Sequence, residues 1–212
     1  MYVYFLVALI VLDFLGLLPL KTLLTQIITL LPVLYAKPVC GGLDVFEYKH
    51  TFNSRVYPGD LDLFCHKNNI KYVGRCEYGR MCLIRDLGIA QYVRKENIHV
   101  GFSQLSLKFR RELKAFQTFT VESKIVGWDK RSFYLEQKFL SNDKFVHCHS
   151  YSILKLSSRG KASETSPIEI LSNVAKLDIN QVKSVQKMKS LDSLVELHNL
   201  PKKHKTGSKK IE

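Results

Sequence analysis

The chain has 212 residues, with 32 Lys and Arg against 19 Asp and Glu, so its net charge is +13. This length fits one ordinary domain with appendages, and a hydrophobic content of 46% excludes global disorder. Five cysteines without a C-x-x-C pair exclude a disulfide scaffold and a zinc ribbon. The charge alone would suit nucleic acid. No helix-turn-helix, zinc-finger or RRM signature is present, however, and we expect no nucleic-acid partner.

The positive charge is unevenly distributed along the chain. Residues 1–50 are neutral, residues 51–159 carry +9, and residues 160–212 carry +4. The excess therefore belongs to the part that follows an apolar N-terminus. Phosphates of a small ligand or an anionic membrane surface are the partners that such a charge favours.

Residues 2–20 are almost wholly apolar, and Asp13 is the main interruption. About 20 apolar residues can form a transmembrane helix, although Asp13 would cost about 2.5–3.5 kcal/mol near its centre. Lys21 and Lys37 follow this run and no basic residue precedes it, so the positive-inside rule places the rest of the chain in the cytosol. A cleaved signal peptide, and hence a secreted protein, is the alternative. Residues 22–35 fit an interfacial helix.

The chain ends in KKIE, with Lys209 and Lys210 at the fourth and third positions from its C-terminus. This arrangement resembles the dilysine retrieval signal of endoplasmic reticulum membrane proteins, which is read in the cytosol. A solvated basic tail is the alternative, because other lysines lie nearby. The sequence therefore predicts an endoplasmic reticulum membrane protein with a cytosolic domain, where its cysteines stay reduced.

Between these ends, the first predicted elements are a strand and a long helix. Residues 51–62 fit a strand that runs into a turn at PGD, residues 58–60. Residues 68–87 fit a helix that Asn68 or Asn69 caps and that Gly88 ends. One face of this helix carries an apolar or small stripe, formed by Tyr72, Cys76, Gly79, Leu83 and Leu87.

Four strand-like runs follow, over residues 98–109, 116–128, 132–140 and 145–156. A strand, a helix and four strands in a meander, without βαβ alternation, predict an α+β fold. We divide the chain into four parts. They are a membrane anchor or signal over 1–36, a linker over 37–50, a domain over 51–158, and a helical extension with a basic tail over 159–212.

The segment DLDLFCHKNNIKY, residues 60–72, resembles the D-x-D-x-x-G-H-x-N-N-x-x-Y signature of 4-hydroxybenzoyl-CoA thioesterase-like hotdog proteins. Six of the seven specified positions match. The resemblance implies a hotdog fold, in which a five-stranded antiparallel sheet wraps around a central helix. It also implies a homodimer that hydrolyses acyl-CoA or a related thioester without a cofactor or a metal.

Thioester hydrolysis needs an oxyanion stabiliser and either a base or a nucleophilic carboxylate. Unpaired backbone N–H groups at the helix N-terminus could polarise the carbonyl group. The resemblance assigns the role of base or nucleophile to Asp62, while His66 and Asn69 would orient the loop or the water. The alternatives are an Asx turn at Asp62, a structural histidine and a helix cap.

Cys65 departs from the signature, which has glycine at this position. Because glycine adopts backbone conformations that cysteine does not share, the oxyanion hole could be displaced and activity lost. A non-catalytic hotdog module that binds acyl-CoA or a protein partner is therefore the alternative function. The thiol could also act as a nucleophile, although a small buried apolar role is the more common one.

Five residues are candidates for substrate binding: Tyr72, Glu77, Arg110, Arg111 and Lys114. The three basic residues follow the first strand of the predicted meander, and their charges suit the phosphates of coenzyme A. A solvated hairpin tip or anionic lipid head groups are the alternatives for them. For Tyr72 and Glu77 the alternatives are core packing and a solvated helix face.

His147 and His149 share one face of the last predicted strand. A metal pair on this face would need further ligands. Since none is evident in the sequence, we expect no metal site.

Overall fold

The computed structural model describes residues 38–39, 41–42, 44–158 and 166–182. The strands are β1 (His50–Arg55), β2 (Ile98–Phe109), β3 (Thr118–Trp128), β4 (Ser132–Leu140) and β5 (Val146–Ser158). The helices are α1 (Asp44–Glu47), α2 (Ile70–Asp86), α3 (Ile89–Lys95) and α4 (Pro167–Ala175). The five strands form one antiparallel sheet in the order β1-β3-β4-β5-β2, against which α2 packs. The predicted α+β class is confirmed.

The position of β2 corrects the predicted four-strand meander. β2 pairs with β5 at one edge of the sheet, and β1 forms the other edge beside β3. Residues 110–117, here called the crossover segment, therefore cross the end of the sheet instead of forming a hairpin turn. The Lys67 N–H donates to the Leu113 carbonyl at 2.8 Å, and His66 forms a β-bridge with Lys114. These contacts hold the crossover segment beside the loop that precedes α2.

Helix α2, Ile70–Asp86, lies within the predicted range of 68–87 and has the predicted buried face. The Asn68 carboxamide oxygen accepts the Ile70 N–H at 3.0 Å and supplies the cap. At the other end, Gly88 has φ 76° and its N–H donates to the Arg85 carbonyl, which ends the helix in a left-handed turn. All members of the predicted stripe are buried: Tyr72, Cys76, Gly79, Leu83 and Leu87.

Helix α4 confirms the start of the predicted C-terminal helical region. Ser166 and Glu169 form a reciprocal capping box at its N-terminus, and Lys176, at φ 55°, ends it. Ile170 and Leu171 are buried against the rest of the core. The helix predicted over residues 190–200 and the anchor predicted over residues 1–36 lie outside the described residues.

Two short helices were not predicted. Helix α3 follows Gly88 and contributes the buried Ile89, and α1 lies within the predicted linker and contributes the buried Val45 and Phe46. Each is too short for its apolar residues to show a helical period. Within the part of the chain that the structure describes, no helix is both long and apolar enough to cross a membrane.

Between α2 and the sheet, two apolar clusters flank a polar contact. One cluster surrounds Leu83 and Trp128, and the other surrounds Tyr72 and Phe139. Between them, the Gln137 carboxamide donates to the Cys76 carbonyl and to the Ser123 hydroxyl, both at 2.9 Å. Because these hydrogen bonds are directional, they fix the position of α2 along the sheet more tightly than apolar packing can.

Glycine at position 79 allows this close approach. A Cβ atom there would lie 2.6 Å from the Ser123 hydroxyl and 2.8 Å from the Gln137 carboxamide nitrogen. We expect Gly79→Ala to lower the free energy of unfolding by about 1–3 kcal/mol, because the helix must move away from the sheet. Urea denaturation followed by circular dichroism measures this loss.

Gly74→Ala is the matched control, since it lies on the same helix and a Cβ atom there would meet no neighbouring element within 4 Å. Alanine should leave stability unchanged or raise it by up to about 1 kcal/mol through helix propensity. Equal effects at positions 74 and 79 would contradict the proposed role of the close approach.

Candidate active site

The loop over residues 60–69, here called the site loop, is folded around the carboxylate of Asp62. One of its oxygens, Oδ1, accepts the N–H groups of Phe64 at 2.9 Å and His66 at 3.1 Å. The Asp62 N–H donates to the His66 carbonyl at 2.9 Å. The Asx turn weighed for Asp62 is therefore present. The second carboxylate oxygen, Oδ2, accepts no hydrogen bond from the described residues, so one oxygen remains for chemistry.

Cys65 adopts the backbone conformation for which the signature uses glycine. Its φ is 59°, in the left-handed region. A side chain in this region costs about 1–3 kcal/mol, so the surrounding hydrogen bonds must hold it there. The loop thus keeps the glycine-like path, and the side chain is exposed to solvent. The small buried role weighed for Cys65 is wrong.

The backbone N–H groups of the site loop are mostly paired. Cys65 donates to the Asp62 carbonyl at 3.1 Å, Lys67 to the crossover segment, and Asn68 to the Asp60 carbonyl at 2.8 Å. Among the described residues, the N–H groups of Leu63 and Asn69 find no acceptor. Asn69 is the N-cap residue of α2, where the helix dipole is positive. Its N–H is therefore the best placed to stabilise an oxyanion.

The side chains of His66 and Asn69 lie at this same end of α2. The His66 side chain is half-buried, and its ring makes no hydrogen bond with the described residues. Asn69 is exposed and makes no side-chain capping bond, since Asn68 performs that function. Both side chains remain available to orient a water molecule or a substrate beside Asp62.

Tyr72 and Glu77 do not join this group. The Tyr72 ring is buried in edge contact with Phe109, at 5.1 Å between ring centroids, and burial raises the pKa of its hydroxyl. Glu77 is exposed on α2, in the turn that follows Tyr72. The structure therefore places Tyr72 in the core, in agreement with the packing alternative, and Glu77 on a solvent-facing side of the helix.

The three basic candidates separate along the crossover segment. Lys114 lies against the site loop through its β-bridge with His66. The Arg111 guanidinium stacks on the ring of Phe145 with 4.0 Å between its central carbon and the ring centroid. All three side chains are exposed, and Arg110 lies at the junction with β2.

His147 anchors the crossover segment to the sheet. Its Nδ1 lies 3.2 Å from both the Arg111 and the Glu112 carbonyl oxygens, and its Nε2 lies 2.9 Å from the Ser141 hydroxyl. This contact is structural and was not predicted. Because these partners lie far apart in the sequence, no local pattern indicates it.

His149 belongs instead to an ionic cluster, and a register shift between β4 and β5 at His147 interrupts the alternation that the sequence predicts for the two histidines. The His149 Nε2 lies 2.7 Å from Glu136, which also pairs with Lys124 and Lys138. Burial alone would raise the pKa of Glu136, but its hydrogen bonds and the two lysines lower the pKa to about 2. Within the described ranges, no group of three potential ligands is arranged for a metal ion.

Lys67 is the main feature of the site loop that sequence reasoning missed. Its side chain is fully buried, and its ammonium lies 5.4 Å from the centroids of the Tyr72 and Phe119 rings. Asp60 supplies the counter-ion at 3.4 Å. Burial lowers the pKa of Lys67, and the Asp60 carboxylate opposes this shift only in part. Asp60, the first aspartate of the signature, therefore stabilises the site loop, which carries Asp62, the second aspartate.

Comparison with family models identifies this region. A model of the thioesterase-like superfamily matches residues 56–190. Protein THEM6 of Danio rerio is 33% identical over 95 residues, which cover 44% of this chain and 47% of that protein. Protein THEM6 of Xenopus laevis is 26% identical over 129 residues, which cover 60% and 59% of the two chains. The matches thus span about half of these curated relatives.

A likeness to thioesterase superfamily member 6 is also predicted by the sequence. The apolar N-terminus, residues 60–63, and GWD at 127–129 followed by FYLE at 133–136 indicate it. The two curated relatives confirm that prediction.

Solved structures confirm the hotdog fold. YbaW Probable Thioesterase from Escherichia coli superposes with a TM-score of 0.54 at 17% identity, covering 58% of this chain and 94% of that one. The protein SAV2348 from Staphylococcus aureus, solved in complex with CoA, also gives 0.54, at 14% identity, covering 66% and 86%. At these identities the likeness is one of fold.

The pairing of Asp60 with Lys67 gives a test of how the site loop is held. We expect Asp60→Asn to lower the free energy of unfolding at pH 7 by about 3 kcal/mol, because it leaves a buried ammonium without its counter-ion. Above the lowered pKa of Lys67 the unfolded state binds more protons than the folded state. Stability of the variant therefore rises with pH, and the loss shrinks. Denaturation at several pH values measures it.

The double variant Asp60→Asn/Lys67→Met is the control. It removes the unpaired charge and keeps an apolar side chain of similar length, so most of the lost stability should return. The Asp60 carboxylate also lies 3.9 Å from the Arg75 guanidinium. A double variant as unstable as the single one would assign the loss to that ion pair instead.

Proposed function

We propose that this chain, which belongs to the thioesterase-like superfamily, hydrolyses the thioester bond of an acyl-CoA or a related thioester. The observation that carries the proposal is the Asp62 carboxylate, which lies in a loop leading into the N-terminus of α2 and has one oxygen that accepts no hydrogen bond from the described residues. The Asn69 N–H at that N-terminus has no acceptor among the described residues. A carboxylate and an oxyanion donor are the two groups that thioester hydrolysis requires.

In the proposed reaction the Asp62 carboxylate removes a proton from water while the water oxygen attacks the thioester carbonyl carbon. The Asn69 N–H and the positive end of the helix dipole stabilise the negative oxygen that forms. Collapse of this intermediate breaks the carbon–sulfur bond. The departing thiolate then takes the proton from Asp62, which restores the carboxylate and leaves a carboxylic acid and a thiol as products. Direct attack by the carboxylate, followed by hydrolysis of the anhydride, is the covalent variant of the same scheme.

The hydrogen bonds within the site loop support these roles. Because Oδ1 of Asp62 is held by two backbone N–H groups, Oδ2 is oriented without a large loss of side-chain entropy. His66 and Asn69 would orient the attacking water. Substrates with coenzyme A agree with the basic crossover segment and with the CoA complex of SAV2348.

The second candidate is a non-catalytic module that binds acyl-CoA or a protein partner. Cys65 favours it, because a solvent-exposed side chain beside Asp62 occupies space that glycine leaves open. The two candidates differ in turnover. Stoichiometric binding of acyl-CoA without release of thiol would support the module.

We expect Asp62→Asn to reduce acyl-CoA hydrolysis by the full chain at least about 100-fold. Asparagine can still accept the two N–H groups that fold the loop, so the loss reflects chemistry. Release of free thiol from acyl-CoA of several chain lengths measures the rate. Glu122→Gln, which neutralises another partly exposed carboxylate on β3, is the control and should keep full activity.

Two further outcomes test the same site. Cys65→Gly relieves the left-handed backbone strain and should raise the free energy of unfolding by about 1 kcal/mol, whereas Cys65→Ala should not. Absence of turnover in both the natural chain and the Cys65→Gly variant, across the whole panel, would contradict the hydrolase. Turnover only in Cys65→Gly would assign the natural chain to the non-catalytic module.

We propose that the protein is anchored in the endoplasmic reticulum membrane by residues 1–36, with the hotdog domain in the cytosol, and that it forms a homodimer. The apolar N-terminus and the C-terminal KKIE support the location. Protease added to intact microsomes should remove the C-terminus, and a protected C-terminus would contradict this orientation.

The proposed homodimer has support of a different kind. Exposed apolar side chains at Leu63, Phe64 and Phe102 would suit an interface between copies. A monomeric mass by light scattering would contradict the dimer.

A further inference from the structure

The end of the domain that carries the site loop exposes several large apolar side chains. Leu63 is 98% exposed, Phe64 79%, Ile70 70% and Phe116 62%. Scattered exposed apolar residues are ordinary, but these four come from three neighbouring segments: the site loop, the first residue of α2 and the crossover segment. We call these four residues the apolar tip.

Leu63 and Phe64 occupy the two central positions of a β-turn. The Cys65 N–H closes this turn on the Asp62 carbonyl at 3.1 Å. Polar residues and glycine are usual at such positions. The hydrogen bonds that fold the loop come from its backbone and from the Asp62 carboxylate. Folding of the loop therefore does not explain two adjacent apolar side chains at its outermost point.

Phe116 lies in a second turn beside the first. The Lys114 carbonyl accepts the Gln117 N–H at 3.2 Å, and the β-bridge of Lys114 with His66 holds the two turns together. Phe116 is the third residue of its turn and has φ 61°, a conformation that favours glycine or asparagine there. A bulky residue in this region is strained. The fold thus holds a phenyl ring in solvent at a conformational cost.

The segments that carry the apolar tip also carry positive charge. Over residues 60–71 two lysines balance two aspartates. The crossover segment adds Arg110, Arg111 and Lys114 against Glu112 alone, and all four side chains are exposed. Projecting apolar side chains beside Lys and Arg suit the interface of an anionic membrane. We infer that the apolar tip inserts into an anionic lipid bilayer.

A second copy of the chain is the competing occupant. An isologous interface would bring together the crossover segments of both copies, which carry the same positive charge, whereas anionic lipid head groups neutralise that charge. Charge therefore favours the membrane for Leu63 and Phe64. Phe102 lies seven residues before the end of β2, roughly 20 Å along the strand, and remains for the proposed contact between copies.

The chain enters the domain at the other end of α2. There the Val39 N–H donates to the Asp86 carbonyl at 2.8 Å, and Pro38 lies against Gly88. Helix α2 has 17 residues and is about 25 Å long. Contact with one bilayer through both the apolar tip and the proposed anchor therefore places α2 along the membrane surface. Membrane contact at the tip does not require the proposed hydrolysis, so the two can be tested separately.

Fluorescence quenching of the full chain in vesicles of phosphatidylserine and brominated phosphatidylcholine tests the inference. Trp128 is the one natural tryptophan and is buried, so it supplies a constant background. In Phe64→Trp and in Phe116→Trp, lipid bromine should quench the added emission at least about twofold, because the side chain reaches the acyl region. Phe102→Trp is the matched control, since it places tryptophan at an exposed apolar site outside the tip, and it should not be quenched.

The contribution of charge is tested with Arg110→Gln/Lys114→Gln, combined with Phe64→Trp. Quenching at position 64 should fall at least about twofold, because the attraction to phosphatidylserine is weakened. Lys95→Gln/Lys155→Gln is the charge-matched control. Both lysines are exposed, and both lie towards the opposite end of the sheet, so this pair should leave quenching at position 64 unchanged.

Tryptophan at position 64 that acrylamide quenches and brominated lipid does not would overturn the inference, because the tip would then lie in water. Protection from both quenchers would assign the tip to contact between copies and would also overturn it. Equal quenching by lipid at positions 64 and 102 would mean a membrane contact that the tip does not direct, with the same consequence. Unchanged quenching in Arg110→Gln/Lys114→Gln would overturn the assignment to anionic lipid.

Discussion

The close approach of α2 to the sheet at Gly79 is the constraint on which the remaining structure depends. It lets Gln137 bond to the backbone of the helix and to Ser123 at the centre of the core. With the helix fixed along its axis, the apolar clusters on either side of this contact set its rotation. The N-terminus of α2, and the loop that leads into it, therefore meet the end of the sheet at a defined place.

That end of the sheet holds the candidate active site, and several chain segments converge there. The site loop is attached to the crossover segment through Lys67 and Leu113, and the crossover segment is attached to β5 through His147. Each attachment joins residues that are distant in sequence. Asp62 is thus positioned by contacts that run from β5 through the crossover segment to the site loop, while its own carboxylate folds the loop locally.

The sequence was sufficient to predict the elements whose patterns are local. The stripe of α2, its glycine end and the limits of β2 and β4 follow from periodicity and turn chemistry, and the signature at 60–72 indicates the fold. The position of β2 at the far edge could not be predicted, because strand order depends on pairing between distant residues. The buried Lys67 was missed for a similar reason, since a lysine beside a turn normally faces water.

The sequence raises the question of how Cys65 affects the backbone, but it does not answer that question. Its substitution for glycine predicts strain, yet only the hydrogen bonds around Asp62 show that the loop keeps the left-handed conformation. Fewer N–H groups are unpaired at the helix N-terminus than the sequence suggests. Most of them donate to acceptors within the described residues, which leaves the Asn69 N–H as the donor at the cap.

Cys65 is also a site at which the protein can be selectively labelled. Of the four cysteines in the described residues, it alone is exposed, while burial raises the pKa of Cys76, Cys82 and Cys148. Thiolate is the form that alkylating reagents attack, so these reagents discriminate strongly among the four sites. A fluorophore or spin label at position 65 would lie beside Asp62 and could report when a ligand occupies the site.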